Sequence, residues 1–263
     1  MMYPVIRIAG LTLNTAGLMI LLAGWLGTTL AAREAERLEL DGDTVWDAAF
    51  YALIAGLIGA RLWYVGAHWS AYQTDLRQAL ALNVGTLALG PGVVIGSITA
   101  LIYLQRCAIP LSRLADALAP GLLLGLAVLR IGDYLTGRVL GSPTNVPWAV
   151  ELWGMRRHPV ALYEAGAALV ALGIVWRLRD EGVYACTERS RSDGFVFLLS
   201  LLLASAVRLF LEAYRADSLL TAGGLRVAQV VALVVMLAAL GTLYHKHFAS
   251  NALSSSEASG TVN

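Results

Sequence analysis

The chain has 263 residues, of which 58% are hydrophobic and 14% are charged, and its mean hydropathy is +0.67. A soluble domain usually carries about 25% charged residues, so this composition predicts a protein that crosses a membrane several times. The formal net charge of +1 comes with no basic run and no basic patch interleaved with aromatic residues, which argues against binding to nucleic acid. Cys107 and Cys186 lie far apart without metal-ligand or redox spacing, so we interpret both as incidental.

A bilayer core about 30 Å thick requires roughly 20 apolar residues in a helix. The sequence therefore predicts an all-α fold, a polytopic integral membrane bundle with about seven transmembrane helices. The predicted spans are residues 10–31, 46–66, 83–105, 115–131, 159–176, 194–212 and 223–244. No basic region precedes the first and no small-residue cleavage site follows it, so we interpret it as a span and not as a signal peptide. Residues 1–248 then form a single transmembrane domain, and the small, polar residues 249–263 form a disordered tail.

The placement of arginines predicts the orientation of these spans. The loops after spans 1, 3 and 5 carry eight arginines, and Lys246 follows span 7. Positive charge in such loops marks the cytoplasmic side, so the N-terminus is expected outside and the C-terminus inside. The bias is modest, because seven arginines fall on the outer face, and this suggests that something besides topology keeps them there. They are Arg7, Arg77, Arg138, Arg156, Arg157, Arg215 and Arg226.

Three arginines lie inside or at the rim of predicted spans: Arg61, Arg130 and Arg208. An arginine near the membrane centre costs at least about 2.5–3.5 kcal/mol, so it persists when it is paired, lines a wet cavity or reaches the headgroups. Each of the three has a structural interpretation, as an interfacial anchor or a helix–helix ion pair, and a functional one, as part of a ligand site. Arg208 and Glu212 are four residues apart, so they share a helical face on which they can pair.

The segment RIGDYLTGRVLGSPTNVPWAV, residues 130–150, concentrates polarity and glycine between spans 4 and 5. Irregular backbone at membrane depth is tolerated only where it lines a cavity or is buried in protein. Gly132, Gly137 and Gly141 permit such backbone directly after Arg130. Guanidinium groups bind phosphate with two parallel hydrogen bonds and stay charged. We therefore predict an irregular outer-face segment that binds a phospholipid phosphate.

Several motifs, in order along the chain, resemble the prolipoprotein diacylglyceryl transferases of bacterial membranes. LRIGDYLTGRVLG (residues 129–141) resembles the signature G-R-x-G-N-F-x-N-x-E-x-x-G, and RHPVALYEAG (157–166) resembles R-H-P-x-x-L-Y-E. GARLWYV (59–65) is similar to G-x-R-x-x-Y-V, and RLFLEAYRAD (208–217) to R-F-x-x-E-x-x-R-x-x-D. Gln229 falls where the family has M-G-Q before its last span.

The resemblance implies an enzyme of the bacterial inner (plasma) membrane that needs no metal or organic cofactor. Its partners would be phosphatidylglycerol and a preprolipoprotein signal peptide whose lipobox cysteine thiol displaces glycerol phosphate and receives the diacylglyceryl group. Arg130 and Arg208 would bind the phosphate and stabilise its developing charge, and Glu212 would orient Arg208. Tyr163 and Glu164 resemble structural supports, and His158, beside Pro159, a helix-start residue. The remaining expected site residues are Asp133 (catalytic) and Gly132, Arg138, Gly141 and Arg61 (substrate-binding).

The chain also departs from the family pattern. Asp133 and Thr136 replace asparagines, Arg138 replaces an acid, Pro91 stands near the histidine of H-G-G, Thr15 and Ala16 replace an aromatic pair, and Ala204 replaces a tyrosine. We expect Asp133 and Arg138 to exchange the family's charge layout while keeping its balance.

These departures leave two interpretations open. In the first, the chain is a divergent transferase whose base is another residue, His158 or Asp133. In the second, it keeps the fold and the phosphate-binding arginines but acts as a phospholipid-binding membrane protein or on another acceptor. A small-solute transporter is disfavoured, because the sequence has no inverted repeat and no paired broken helices.

Overall fold

A computed structural model of the protein describes residues 5–8, 11–73, 77–80, 86–107, 109–180, 194–221 and 223–260. Their architecture is helical, with two short antiparallel hairpins. The helices are α1 (Thr15–Arg37), α2 (Gly42–Ala67), α3 (Trp69–Tyr72), α4 (Arg77–Leu80), α5 (Leu89–Arg106), α6 (Leu111–Thr136), α7 (Val160–Asp180), α8 (Phe195–Leu211) and α9 (Val227–Gly260). The strands are β1 (Val5–Ile8), β2 (Leu11–Asn14), β3 (Val150–Leu152) and β4 (Met155–Arg157). A 3₁₀ turn, Glu212–Tyr214, follows α8 directly.

Each of the seven predicted spans coincides with one of the long helices. Among the described residues, however, six helices are long and apolar enough by length and composition to cross a membrane, where about seven were predicted. The exception is α5, which has 18 residues, begins with LGPG and ends with the polar pair Gln105 and Arg106. The six are α1, α2, α6, α7, α8 and α9.

The chain forms two compact units, residues 1–31 with 115–263, and residues 32–114. In the first unit, the core between α6, α7 and α8 is built from Ala119, Leu123, Ala171, Leu172, Val175 and Val196. The start of α8 is held by the buried Asp116 of α6, whose carboxylate accepts hydrogen bonds from the backbone N–H groups of Gly194 (2.6 Å) and Phe197 (2.8 Å). A carboxylate at this end satisfies N–H groups that have no partner within the helix, and it complements the helix dipole.

In the second unit, α2 and α5 pack closely over small residues. A Cβ added to Gly92 would lie 2.7 Å from the Cβ of Ala60 and 2.8 Å from the carbonyl oxygen of Gly56. Small residues at helix crossings let two backbones approach within a membrane, where burial of apolar surface drives little association. Arg61 of α2 is buried in this unit, and its guanidinium donates to Thr86 and to the Gln78 carbonyl.

Helix α9 continues to Gly260, through residues 249–260 for which the composition predicts a disordered tail. This stretch, ASNALSSSEASG, contains no proline and no glycine before Gly260, so nothing in it breaks the helix that α9 begins. Residues 261–263 lie outside the described residues.

Candidate functional site

The centre of the polar cluster in the first unit is the carboxylate of Glu164, in the first turns of α7. Its side chain is only 5% exposed, and three arginines from other elements reach it. Arg130 Nε, from α6, lies 2.8 Å from Oε2. Arg208 Nη1, from α8, lies 2.8 Å from Oε1, and Arg215 Nη1, which follows the 3₁₀ turn, lies 3.3 Å from the same oxygen. A buried carboxylate is stable as a charge only with such partners, so Glu164 and the arginines hold one another in place.

Three further carboxylates fix the outer ends of the same arginines. Asp133 Oδ2 lies 2.9 Å from Arg130 Nη1, one helical turn along α6. Glu212 Oε2 lies 3.0 Å from Arg208 Nη2, the pair that their spacing of four residues predicts. Asp217 accepts from Arg215 with both oxygens, at 3.0 and 2.8 Å. Each guanidinium is therefore oriented by at least two carboxylates.

The three arginines differ in how much of their surface is open. The side chain of Arg215 is 10% exposed, that of Arg130 24% and that of Arg208 32%. Burial opposes the charge on Arg215, but the hydrogen bond to Asp217 and the carboxylates of Glu164 and Glu212 outweigh it and raise its pKa. Arg215 is thus a fixed cation within the cluster, while Arg208 and Arg130 keep surface on which to meet a ligand.

The irregular segment after α6 passes between two other stretches of backbone at Gly141. Gly141 pairs with Arg215 on one side, and Ser142 N–H donates to the Tyr214 carbonyl at 2.7 Å. On the other side, His158 N–H donates to the Ser142 carbonyl at 3.1 Å, and Arg157 Nη1 donates to the Gly141 carbonyl at 3.0 Å. A Cβ on Gly141 would collide with the His158 carbonyl oxygen. Only glycine therefore allows the three stretches to come together here.

An aromatic group lies beside this junction. The indole Nε1 of Trp148 donates to the Tyr163 hydroxyl at 2.6 Å, and His158 Nδ1 lies 3.4 Å from the same hydroxyl. The His158 ring also meets the edge of Tyr214, with ring centroids 5.2 Å apart. Because Tyr163 precedes Glu164 and Tyr214 precedes Arg215, this group borders the arginine cluster directly.

Two pockets open at the cluster. The larger, of about 570 Å³, has a polar end formed by Arg208, Glu212, Arg215, Asp217 and Ser218. Its remaining wall is apolar and follows α9, along Val227, Val231 and Val235. The buried hydroxyl of Ser218 has no hydrogen-bond partner within the part of the chain that the structure describes. The smaller pocket, of about 40 Å³, is lined by Arg130, Glu164 and Arg208 together with alanines of α7 and α8. The larger pocket is thus an apolar groove with cationic groups at one end.

The structure brings together four of the residues singled out in the sequence: Arg130, Asp133, Arg208 and Glu212. Gly141 lies beside them, at the backbone of Arg215. Gly132 lies within α6, where a Cβ would meet Met19 of α1 at 2.7 Å, so it serves helix packing. Arg61 belongs to the second unit and makes its hydrogen bonds there.

Arg138 does not join the cluster, so the predicted charge exchange with Asp133 is wrong. Asp133 pairs with Arg130, while the Arg138 side chain is exposed and has no ion pair with any described residue. The reason is the helix end: Asp133 and Arg130 share a face of α6, whereas Gly137, with φ at 63°, turns the chain away before Arg138.

Glu164, Arg215 and Asp217 are the cluster members to which the sequence assigned no place in the site. A signal for Glu164 was present, because it is the only charged residue in the predicted span 159–176. A lone acid in an apolar span requires a cationic partner, which points to the arginines of neighbouring spans. Within the described residues, no three His, Cys, Asp or Glu side chains are grouped so as to hold a metal ion.

Comparisons with known proteins agree with the motif resemblance. The profile of the family described as "Prolipoprotein diacylglyceryl transferase" matches residues 4–245. The chain is 30% identical over 232 residues, 88% of its own length and 90% of the relative's, to a protein of Finegoldia magna named phosphatidylglycerol–prolipoprotein diacylglyceryl transferase. It is 32% identical over 252 residues, 91% and 88% of the two chains, to a protein of the same name from Trichormus variabilis.

Proposed function

The chain belongs to the prolipoprotein diacylglyceryl transferase family, and on this premise we propose that it transfers a diacylglyceryl group from phosphatidylglycerol to a cysteine thiol. The acceptor is the lipobox cysteine of a preprolipoprotein signal peptide, and the second product is glycerol phosphate. The observation that carries the proposal is the convergence of Arg130, Arg208 and Arg215 on Glu164 beside an apolar groove. This combination suits a substrate with an anionic head and hydrocarbon tails.

The phosphate of the lipid is bound by the two more exposed guanidinium groups, Arg208 and Arg130. Arg208 lines both pockets, so a phosphate beside it is also in reach of Arg130 in the smaller pocket and of Ser218 in the larger one. Ser218 supplies a hydroxyl that has no other partner among the described residues. Arginine suits this role because its planar fork matches two phosphate oxygens.

The acyl chains follow the apolar wall along α9. Val227, Val231 and Val235 repeat every four residues, so they form one stripe on a helix that is long and apolar enough to span a membrane. A lipid with its phosphate at Arg208 and its tails on this stripe stays parallel to the surrounding bilayer lipids. The groove therefore lets substrate enter from the membrane without passing through water.

The same arginines assist the chemical step, because the bond that breaks leaves its electron pair on a phosphate oxygen. Cations that are already oriented by Glu164 and Glu212 need no rearrangement when that charge develops, and this is the condition under which such groups lower a barrier most. The carboxylates thus have a positioning role: they fix the direction of each guanidinium while the lipid competes for its outer edge.

We place the protein in the bacterial inner membrane with its N-terminus outside and its C-terminus in the cytoplasm, an arrangement in which α5 also crosses the membrane, as a shorter seventh span beside the six longer apolar helices. The support is the excess of arginine in the loops after spans 1, 3 and 5. In this orientation the segment between α6 and α7, with Gly141 and the aromatic group, lies on the outer side, where an exported signal peptide would present its cysteine.

A second candidate is a phospholipid-binding protein that lacks the transfer step or uses another acceptor. It is favoured by Pro91, which stands near the family's histidine and cannot exchange a proton. The two candidates differ in one measurement, complementation of a bacterium depleted of its own diacylglyceryl transferase, scored by the gel shift of its lipoproteins. Lipidation by the wild type and its loss in Arg130→Ala and Arg208→Ala support the transferase. A wild type that is well expressed in the membrane but restores no lipidation leaves the second candidate.

A further inference from the structure

We propose that His158 is the general base that takes the proton from the acceptor thiol in this protein, an assignment that rests on the proposed function. A thiol attacks as its thiolate, so the reaction needs a proton acceptor at the site. Histidine exchanges protons near neutral pH, which is why it serves most often as a general base. His158 is favoured by its position, by its hydrogen bonds and by the ion pairs that hold the carboxylates nearby.

Two residues, Ser142 and Tyr214, connect His158 to the arginine cluster. Its backbone N–H donates to Ser142, the residue after Gly141, and Gly141 pairs with Arg215. Its ring packs edge-on against Tyr214, the residue before Arg215. The imidazole therefore stands across one strand of backbone from Arg215, whose guanidinium shares the Glu164 oxygen Oε1 with that of Arg208. The proposal requires the glyceryl carbon to lie on the side of the phosphate that faces this ring.

The hydrogen bonds around the ring leave one nitrogen available. An indole N–H only donates, so the Tyr163 oxygen accepts from Trp148 and keeps a second lone pair. In the tautomer with its hydrogen on Nδ1, His158 donates to that lone pair across 3.4 Å. The unprotonated nitrogen is then Nε2, which has no hydrogen-bond partner among the described residues. In this tautomer, Trp148 and Tyr163 orient the ring and leave Nε2 as its basic nitrogen.

The carboxylates of the site are poor alternatives, because arginines hold all of them. Glu164 carries three arginine contacts, and Glu212 and Asp133 each contact at least one guanidinium. Each of these carboxylates already faces a guanidinium, so none of them is free to meet the thiol. Asp133, the other base considered from the sequence, is therefore disfavoured by its 2.9 Å bond to Arg130.

The other histidines lie elsewhere. The chain has four histidines, and His68 belongs to the second unit, where its ring stacks on Tyr64. His245 lies 18 residues beyond the start of α9 at Val227, which at 1.5 Å per residue is roughly 27 Å along the helix. The side chain of His247 is not among those described.

Proton transfer to His158 accompanies the transfer of the diacylglyceryl group. The S–H bond breaks and its proton moves to Nε2 of His158, while the sulfur electron pair forms a C–S bond to the glyceryl carbon of the lipid. The C–O bond to phosphate breaks, and its electron pair leaves with glycerol phosphate, whose charge Arg208 and Arg130 stabilise. The imidazolium then passes its proton to the departing phosphate or to water, which returns His158 to its starting state.

The test uses the full-length protein in phosphatidylglycerol-containing nanodiscs, with a lipobox peptide as acceptor and glycerol phosphate release as the readout. His158→Asn keeps a polar group where Nδ1 meets Tyr163 but has no nitrogen in place of Nε2. We expect kcat/KM to fall by about 10²–10⁴-fold, the usual contribution of a general base. If the wild type loses rate on acidification, the variant should lose that dependence. His245→Asn, the same change at an exposed histidine of α9, should leave rate and pH profile unchanged.

A second variant separates catalysis from folding. Imidazole added to His158→Ala should restore part of the lost rate, whereas a purely structural defect would not respond to it. A His158→Asn variant that keeps the wild-type rate and pH profile overturns the assignment and leaves the transferase function intact. A wild type that releases no glycerol phosphate overturns the proposed function and the assignment with it.

Discussion

The carboxylate of Glu164 on α7 lies 2.8 Å from the guanidinium of Arg208 on α8, 44 residues further along the chain. The same buried acid also contacts Arg130 and Arg215, so three arginines from two distant parts of the chain share one counter-ion. This dependence determines how the site responds to substitution, because a change at Glu164 affects every cation that the proposed reaction uses.

Glu164→Gln should destabilise the protein and abolish transfer. The amide keeps the shape of the side chain but leaves buried positive charge without its partner, and breaking a buried ion pair in this way costs about 3–5 kcal/mol. We expect a marked fall in the free energy of unfolding, measured by denaturation in mixed micelles. Glu151→Gln, the same change at an exposed position of β3, should have little effect. Equal stability of the two variants would contradict a central role for Glu164.

Arg208→Lys should reduce glycerol phosphate release by about 10²–10³-fold, the loss seen when one charge-stabilising donor is removed from an active site. Arg208 bonds Glu164 and Glu212 through different nitrogens while its remaining surface meets the ligand. A lysine ammonium retains the charge but cannot make these contacts together. The matched control is Arg33→Lys, at an exposed position of α1, which should keep full activity. A lysine at 208 that works as well as arginine would show that charge alone suffices.

Asp133→Asn, which introduces the residue of the family signature, should tighten the binding of phosphatidylglycerol. The change removes a negative charge that competes with the lipid phosphate for Arg130, at 2.9 Å from its Nη1. Because this ion pair is partly exposed, its loss should alter stability by no more than about 1 kcal/mol. The dissociation constant of the lipid in mixed micelles reports the effect. Weaker binding would mean that Asp133 supports Arg130 and does not compete with the lipid.

Gly141→Ala should disrupt the site through the backbone. The added methyl group collides with the His158 carbonyl oxygen, so the segments that carry Arg215 and His158 must move apart. Overpacking of this kind typically costs about 1–3 kcal/mol, and here it should also abolish transfer.

Gly166→Ala provides the control for that substitution. Gly166 is an exposed position of α7 with no neighbouring atom within 4 Å of the added Cβ, and alanine should stabilise the helix by roughly 0.5–1 kcal/mol. Thermal unfolding of both variants checks the pair. Similar losses in the two would show that the contact with His158 is not the cause.

The long helices could be predicted from the sequence because hydropathy and length are local properties of each segment. The same holds for the pair Arg208 and Glu212, because a spacing of four residues places both on one helical face. The irregular segment around Gly141 was also evident from composition. Helix α5 is the exception. Its glycines, proline and polar end keep it out of the six helices that are long and apolar enough to cross a membrane.

The tertiary structure alone decided which charges meet. Asp133 was expected to balance Arg138, yet it pairs with Arg130, because the turn at Gly137 directs the chain away from the helix. Glu164 resembled a structural support and proved to be the common partner of three arginines. The sequence by itself determined which apolar segments contain charged residues. The free-energy cost of a charge in a membrane depends only on the type of residue and on the hydropathy of the segment around it. The pairing of these charges depends on how helices α6, α7 and α8 pack, and packing is set by contacts between residues that no spacing along the chain relates.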